Sequence, residues 1–295
     1  MSEVRVAVTE SVNPQTRGLD ALSTSALVAL LVARQRAAFD AVEGAAPSIV
    51  RAVEAIAERL RAGGSLHYAG AGSSGRLATL DAAECPPTFG TSPALVRAHI
   101  AGGSAALVRA VEGAEDDGSA GEREARAEVK AGDAVVGISA SGGAAWVVAW
   151  VRTARELGAA TIALTSDGGS DLAAAAEIAI LLETGAEPIA GSTRLVAGTA
   201  AKLVLNAIST ASMVRLGKVY DNLMVDVVAT NAKLRARALR LVGTLANVDR
   251  AEAATLLDAA GGSVKVAVVM SRRRSDAETA RTLLARERGF LRNLL

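Results

Sequence analysis

Aromatic side chains are scarce in this sequence: three Phe, two Tyr and two Trp in 295 residues. That leaves little material for the stacked platforms that hold single-stranded nucleic acid. Cysteine occurs once, as Cys85, which excludes an intramolecular disulfide and a cysteine-based zinc cluster and fits a reducing compartment. Two histidines, His67 and His99, are too few for a His-rich metal site. Neither sign of charge dominates. With 32 basic and 31 acidic residues the net charge is +1, so no global field favours DNA or an anionic membrane. The basic cluster Arg272, Arg273, Arg274 reads as a solvated loop or helix start. Met1–Glu10 shows no basic region followed by an apolar run, so no signal peptide is expected. The uncharged stretch Ala134–Val151 approaches the length of a membrane span, but its middle, Ser139-Ala-Ser-Gly-Gly143, reads as a loop between a strand and a helix.

What is abundant is small and aliphatic. Ala, Val and Leu suit helices stacked closely on a parallel sheet. Apolar residues recur at three- and four-residue spacing over Ala26–Ala41 and Pro47–Leu60, which predicts helices, with Pro47 placed in a first turn. After Gly63-Gly64 one pattern occurs twice: a short apolar strand, a Gly/Ser turn, then a helix. The first copy is Leu66–Ala69, Gly70-Ala-Gly-Ser-Ser-Gly75 and a helix from about Arg76. The second is Ala134–Ile138, Ser139-Ala-Ser-Gly-Gly143 and a helix through Leu157. Thr161–Thr165 and Ile178–Leu182 read as further strands, and residues 199–219 as a long apolar helix. Alternating strands and helices argue for an α/β fold with a parallel sheet covered on both faces. The expected division is an N-terminal helical segment over residues 1–60, a sheet-bearing domain over 61–240 and a small helical module over 241–295.

The two turns carry the first chemical signal. In an open parallel sheet ligands bind beyond the carboxyl ends of strands, where helix N-termini present N–H groups suited to phosphate. Ser73, Ser74, Ser139 and Ser141 add hydroxyl donors, while Gly75 and Gly142 let the backbone come close. The plainer reading is a tight turn with capping serines. Neither turn is a nucleotide fingerprint: there is no Gly-x-x-x-x-Gly-Lys-Ser/Thr, and Asp81 and Glu84 lie too early after Gly70-x-Gly-x-x-Gly75 to hold a ribose. Glu84 follows the first turn, with Pro86-Pro87 expected to end the helix just beyond it. A carboxylate there is a candidate acid/base group. The run Glu112, Glu115, Asp116, Asp117 alone reads as a polar helix end, and Cys85 as a small buried thiol.

Several long segments then coincide with one family. Gly70-Ala-Gly-Ser-Ser-Gly-Arg-Leu, Asp81-Ala-Ala-Glu-Cys-Pro-Pro-Thr-Phe-Gly90, Val111-Glu-Gly-Ala-Glu-Asp116, Gly185-Ala-Glu-Pro-Ile-Ala-Gly-Ser-Thr-Arg194, Ala197–Asn206 and Gly217–Asp226 resemble the N-acetylmuramic acid 6-phosphate etherases. The resemblance implies a sugar-isomerase (SIS) fold, a doubly wound parallel sheet flanked by helices, and a UBA-like C-terminal module. It also implies a carbon–oxygen lyase reaction: N-acetylmuramate 6-phosphate and water give N-acetylglucosamine 6-phosphate and D-lactate, in cell-wall amino sugar recycling. No metal or redox cofactor is implied. The partners implied are a sugar phosphate and a second copy of the chain in a cytoplasmic homodimer, with no nucleic acid and no membrane. The family's two catalytic glutamates fall on Glu84 and Glu115. Phosphate would lie on Ser73, Ser74, Ser139 and Ser141, supported by Gly75 and Gly142, with Arg194, Lys202 and Asn222 as further substrate-binding residues.

The chain departs from that pattern in two places. Many relatives have Ser-Gly-Arg-Thr-Pro where this chain has Ser141-Gly-Gly-Ala-Ala145, and lysine where Val196 stands. Both changes bear on which sugar is preferred. Two other functions fit the same scaffold: a non-catalytic sugar-phosphate sensor, like the related regulator of vertebrate glucokinase, and an aldose–ketose isomerase.

Overall fold

The computed structural model describes residues 7–227 and 232–295. Met1–Val6, the start of the stretch read for a leader, and residues 228–231 of the expected core domain lie outside them. Three helices come first: α1 (Thr24–Arg34), α2 (Arg36–Gly44) and α3 (Ala46–Arg61). The single helix expected over Ala26–Ala41 is broken at Gln35. Its amide oxygen accepts a hydrogen bond from Thr199 Oγ1 at 2.7 Å, a tertiary contact that no local periodicity reports. Helix α3 follows its pattern. Ile49, Ala52, Val53, Ile56, Ala57 and Leu60 form its buried stripe, with a proline in its first turn.

The sheet elements then alternate as β1 (Leu66–Gly70), α4 (Gly72–Phe89), β2 (Val96–Ile100), α5 (Gly118–Glu128), β3 (Ala134–Ile138), α6 (Ala145–Glu156), β4 (Ala160–Thr165), α7 (Asp171–Ala175), β5 (Ile178–Leu181) and α8 (Val196–Arg215). All pairings are parallel, in the order β2-β1-β3-β4-β5. Every residue of β1, β3 and β4 is buried, as expected of strands covered on both faces. The stretch once comparable to a membrane span is thus strand, loop and core helix. Strand β2 is the one the sequence reading missed. It is an edge strand whose Arg97 pairs with Glu128 at 2.9 Å, so it lacks a continuous apolar run. The chain leaves β1 for β2 on one side and returns past β1 to β3 on the other. The loops beyond these two strands therefore diverge and open a crevice at their carboxyl ends.

Helix starts follow local chemistry. Asp117, Ser170, Asp249, Ser263 and Asp276 each cap a helix with the side-chain oxygen accepting a backbone N–H. One expected helix stop fails. Helix α4 runs through Pro86 and Pro87 to Phe89 and ends at Gly90, whose φ is +62°. The two prolines stand in its last turn, where they leave the carbonyls of Ala82 and Ala83 without their i+4 donors and the helix ends within three residues. Gly90 N–H closes the helix on Pro86 O at 2.9 Å.

The described residues form two compact units: 7–82 with 95–209, and 83–94 with 210–227 and 232–295. The second contains α9 (Ala232–Ala246), α10 (Arg250–Ala259), α11 (Val264–Arg273) and α12 (Ala277–Arg286), around a core that includes Val242, Leu257, Val264 and Val268. Buried Lys265 donates to Asp226 Oδ2 at 2.8 Å, and Lys218 reaches the same oxygen at 3.1 Å. Burial pushes the Lys265 ammonium below its ordinary pKa, and Asp226 opposes that shift. The Arg272–Arg274 cluster is solvent-exposed as expected, but at a helix end instead of a loop or helix start. Arg272 Nε and Arg273 Nε donate to the carbonyls of Leu245 and Leu294, and Arg274 takes a left-handed cap conformation. Among the described residues no single helix is long and apolar enough to cross a membrane.

The two histidines meet in the first unit. His67 Nδ1 lies 3.0 Å from His99 Nε2, and His67 Nε2 lies 3.4 Å from Asp133 Oδ2. Asp133 also accepts the N–H groups of Ser65 and Lys130. Burial depresses both imidazoles, His99 to about 4. An unfolded chain binds protons on these rings below about pH 6.5, whereas the folded chain resists them. Stability is therefore full above pH 6.5 and falls as the pH drops toward 4. For His99 the loss is on the order of 3 kcal/mol over that window. Urea denaturation at pH 7.5 and 5 should show it, and a His99→Gln variant should have the flatter pH dependence. An equally steep dependence in that variant contradicts the assignment.

Candidate active site

Strand β1 ends at Gly70 and α4 begins at Gly72, so the first Gly/Ser turn is tighter than expected and its helix starts four residues earlier. The cause is steric. A Cβ at Gly70 would lie 2.7 Å from Gly75 N, and one at Gly75 would lie 2.5 Å from Ile100 Cγ1. These glycines let the helix start sit directly on the strand ends. Ser73 and Ser74 consequently lie in the first turn of α4, where backbone N–H groups have no intrahelical acceptor. In the second turn Gly142 N–H donates to Ser139 Oγ at 3.1 Å, and Gly143 N–H donates to Ser141 Oγ at 3.4 Å. Both hydroxyl oxygens are engaged as acceptors, which leaves their hydrogens to be donated to a ligand.

These four serines line one cavity of about 300 Å³ beyond the carboxyl ends of β1, β3 and β4. Thr165 and Ser166 add hydroxyls from β4 and the residue after it, and the walls include Leu182 after β5 and Ala197 of α8. Glu115 reaches the same cavity from a single 3₁₀ turn, Ala114–Asp116, entered through Gly113 at φ +72°. Its neighbour Asp117 is structural. That carboxylate accepts from Ser119 Oγ and Ala120 N, and the Ser119 bond leads the causes that lower its pKa. The acidic run is thus part turn, part helix cap.

The cavity also contains Glu10, which the sequence reading did not single out. The N-terminal segment is tied to the loop before α8: Gly191 N–H donates to Thr9 O, Asn13 Nδ2 to Ala186 O and Thr16 Oγ1 to Pro188 O. These bonds bring the Glu10 carboxylate against Gly191, where a Cβ would lie 2.6 Å from Oε2. Partners more than 170 residues apart leave no local signal.

The other expected residues are placed differently. Gly75 and Gly142 shape the backbone without lining the cavity. Arg194 and Lys202 line an adjoining groove together with Arg76. Asn222 lines a separate cavity of the second unit, with Met224 and Arg237. Glu84 is exposed on α4 and is not among the cavity residues. The partial burial that would favour an acid/base glutamate is present at neither Glu84 nor Glu115 in the single chain, where both are exposed. Of the two departures, Ala144 lines the cavity and precedes α6 without a side-chain cap. Val196 is buried at the start of α8 and does not line it.

Two buried acids hold the surroundings. Glu187 accepts the N–H groups of Val196 and Ala197, each at 2.9 Å, and so closes the start of α8. Asp81 accepts from Tyr68 OH at 3.1 Å and Ser209 Oγ at 3.3 Å, with Lys202 Nζ at 3.7 Å. Burial raises its pKa, opposed by the Ser209 bond and the Lys202 charge.

Comparison with known proteins adds the following. The SIS domain family matches residues 32–166. An N-acetylmuramic acid 6-phosphate etherase from Gloeobacter violaceus is 50% identical over 285 residues, covering 96% of this chain and 93% of that protein. One from Symbiobacterium thermophilum is 51% identical over 267 residues, covering 90% and 89%, and one from Salmonella typhi is 48% identical over 289 residues, covering 98% and 97%. Among solved structures, a phosphoheptose isomerase from Neisseria gonorrhoeae aligns with a TM-score of 0.49 at 23% identity, covering 64% of this chain and 97% of its own.

Proposed function

Because the chain belongs to the N-acetylmuramic acid 6-phosphate etherase family, we propose that it cleaves the D-lactyl ether of N-acetylmuramic acid 6-phosphate by elimination and water addition. The observation that carries this reading is the meeting of four serine hydroxyls and the Glu115 carboxylate around one cavity at the switch point of the sheet. The serines and the first-turn N–H groups of α4 supply donors and partial positive charge for a phosphate.

The chemistry needs two proton transfers. In the open-chain sugar the C1 aldehyde acidifies C2–H, and the lactyl ether at C3 is β to that carbonyl. A carboxylate takes the C2 proton, the C2 electron pair forms the C2–C3 double bond, and the C3–O bond breaks. A carboxylic acid protonates the departing lactate oxygen. Water then adds at C3 and C2 regains a proton, giving N-acetylglucosamine 6-phosphate and D-lactate. We assign C2 proton transfer to Glu115 and protonation of lactate to Glu84; each such group contributes typically 10²–10⁴ in rate. No step calls for a metal or a redox cofactor. Arg194, Lys202 and Asn222 are assigned to substrate binding. Glu84 is assigned to the site through a homodimer in which the second copy presents it. The single thiol, Cys85, suits the cytoplasm.

Purified protein given N-acetylmuramate 6-phosphate is expected to release D-lactate and N-acetylglucosamine 6-phosphate in equal amounts, with or without chelator. Binding without lactate release would make the chain a sensor. A changed sugar without lactate would make it an isomerase.

A further inference from the structure

Beside the serine-lined cavity runs a groove of about 510 Å³ between α4 and α8. Its lining is apolar at Leu77, Leu80 and Leu203 and cationic at Arg76, Arg194 and Lys202. No acidic residue lines it. Ser73, Leu77 and Gly198 line both spaces, so the groove continues the cavity. Lys202 is engaged by Asp81 and by the Asn206 side chain. The two arginines, by contrast, form no ion pair with a carboxylate among the described residues. Arg76 is held in place all the same: its Nε donates to Leu107 O at 3.2 Å and its Nη2 to Arg109 O at 3.3 Å. Both acceptors are neutral, so they orient the guanidinium and leave its charge uncompensated. Three of its five N–H groups remain for a ligand. Arg194 is exposed.

The etherase reading, on which this inference rests, gives the substrate two anionic groups, the phosphate and the lactyl carboxylate. The cavity provides for the first. It also contains Glu10 and Glu115, whose negative charge opposes a second anion. The nearest continuous space is the cationic groove, and a planar guanidinium fork matches a carboxylate in shape and charge. We propose that this groove holds the lactyl carboxylate, with Arg76 and Arg194 as the residues that select the lactyl-bearing sugar. The lactyl methyl then lies on Leu77 and Leu80. The product sugar has no such carboxylate and binds without the groove.

The test compares N-acetylmuramate 6-phosphate with its lactyl carboxamide, in wild type and in an Arg194→Gln variant. The Arg194 side chain makes no hydrogen bond or ion pair within the described residues, so its replacement leaves no polar partner unpaired. Wild type is expected to prefer the acid over the amide roughly ten- to hundredfold in kcat/KM, the scale of a hydrogen bond to a charged group. Arg194→Gln should shrink that preference, because kcat/KM falls far more for the acid than for the amide, and inhibition by N-acetylglucosamine 6-phosphate weakens less than either. An Arg76→Lys variant, which keeps the charge but not the fork, should fall between the two. A parallel loss for acid, amide and product overturns the proposal, because the arginine would then serve the phosphate or the ring. So does an unchanged preference with altered sedimentation, which would make the groove a contact between copies. Absence of lactate release by wild type overturns the etherase reading itself, a distinguishable result.

Discussion

Glu84→Gln and Glu115→Gln are each expected to lower kcat by about three orders of magnitude while leaving affinity for N-acetylglucosamine 6-phosphate within about twofold of wild type. The amide keeps the shape of the side chain and removes only its capacity to take or give a proton. Phosphate binding rests on the serines, so it should survive. Near-normal turnover in either variant would remove that residue from the mechanism. Mixing the two defects is more informative still. Both carboxylates are exposed in the single chain, and only Glu115 lines the cavity. In a closed two-fold dimer the same surfaces occur twice, so one copy can present Glu84 to the Glu115 of its partner. Co-expressed variants pairing at random then yield mixed dimers with one intact site, and about a quarter of wild-type activity returns. No recovery would place both carboxylates on one chain.

The second large effect is on folding. Glu187→Ala is expected to destabilise the protein by about 3 kcal/mol in urea denaturation, since two buried N–H groups lose their acceptor. Helix α8 begins in the interior; of its first-turn donors, Gly198 and Thr199 reach the carbonyls of Thr193 and Leu195, and the first two have no carbonyl partner. The fully buried Glu187 carboxylate meets two of them, Val196 N–H on Oε2 and Ala197 N–H on Oε1, and its charge complements the helix N-terminus. Glu187→Gln retains one acceptor oxygen and should lose roughly half as much. Because Ala197, Gly198 and Ala201 line the cavity, the Ala variant should also raise KM for the sugar phosphate. If both variants matched wild-type stability, the capping account would be wrong.

The strands that could be read in advance were β1, β3, β4 and β5, short apolar runs bounded by Gly or charged residues. Strand β2 could not, because an edge position tolerates the alternating Val96-Arg97-Ala98-His99-Ile100. Helix α4 shows the limits at both ends. Its start at Gly72 depends on how Gly70 and Gly75 fit the strands, and its passage through Pro86-Pro87 depends on where in the helix those prolines fall. Among candidate site residues, the four serines and Glu115 were marked by their motifs and do meet in one cavity. Glu10 carried no mark, since its position is set by bonds to residues 186–191.

By itself the sequence determined the layered α/β class and the two serine turns, because each is written in short-range pattern or residue chemistry. Tertiary structure alone decided that Glu10 joins Glu115, that Glu187 closes α8 and that Arg76 is held beside Arg194. Those outcomes depend on chain segments far apart in sequence meeting around a parallel sheet. The geometry of their meeting is set by packing and by satisfaction of buried hydrogen-bonding groups, which no local window of residues contains.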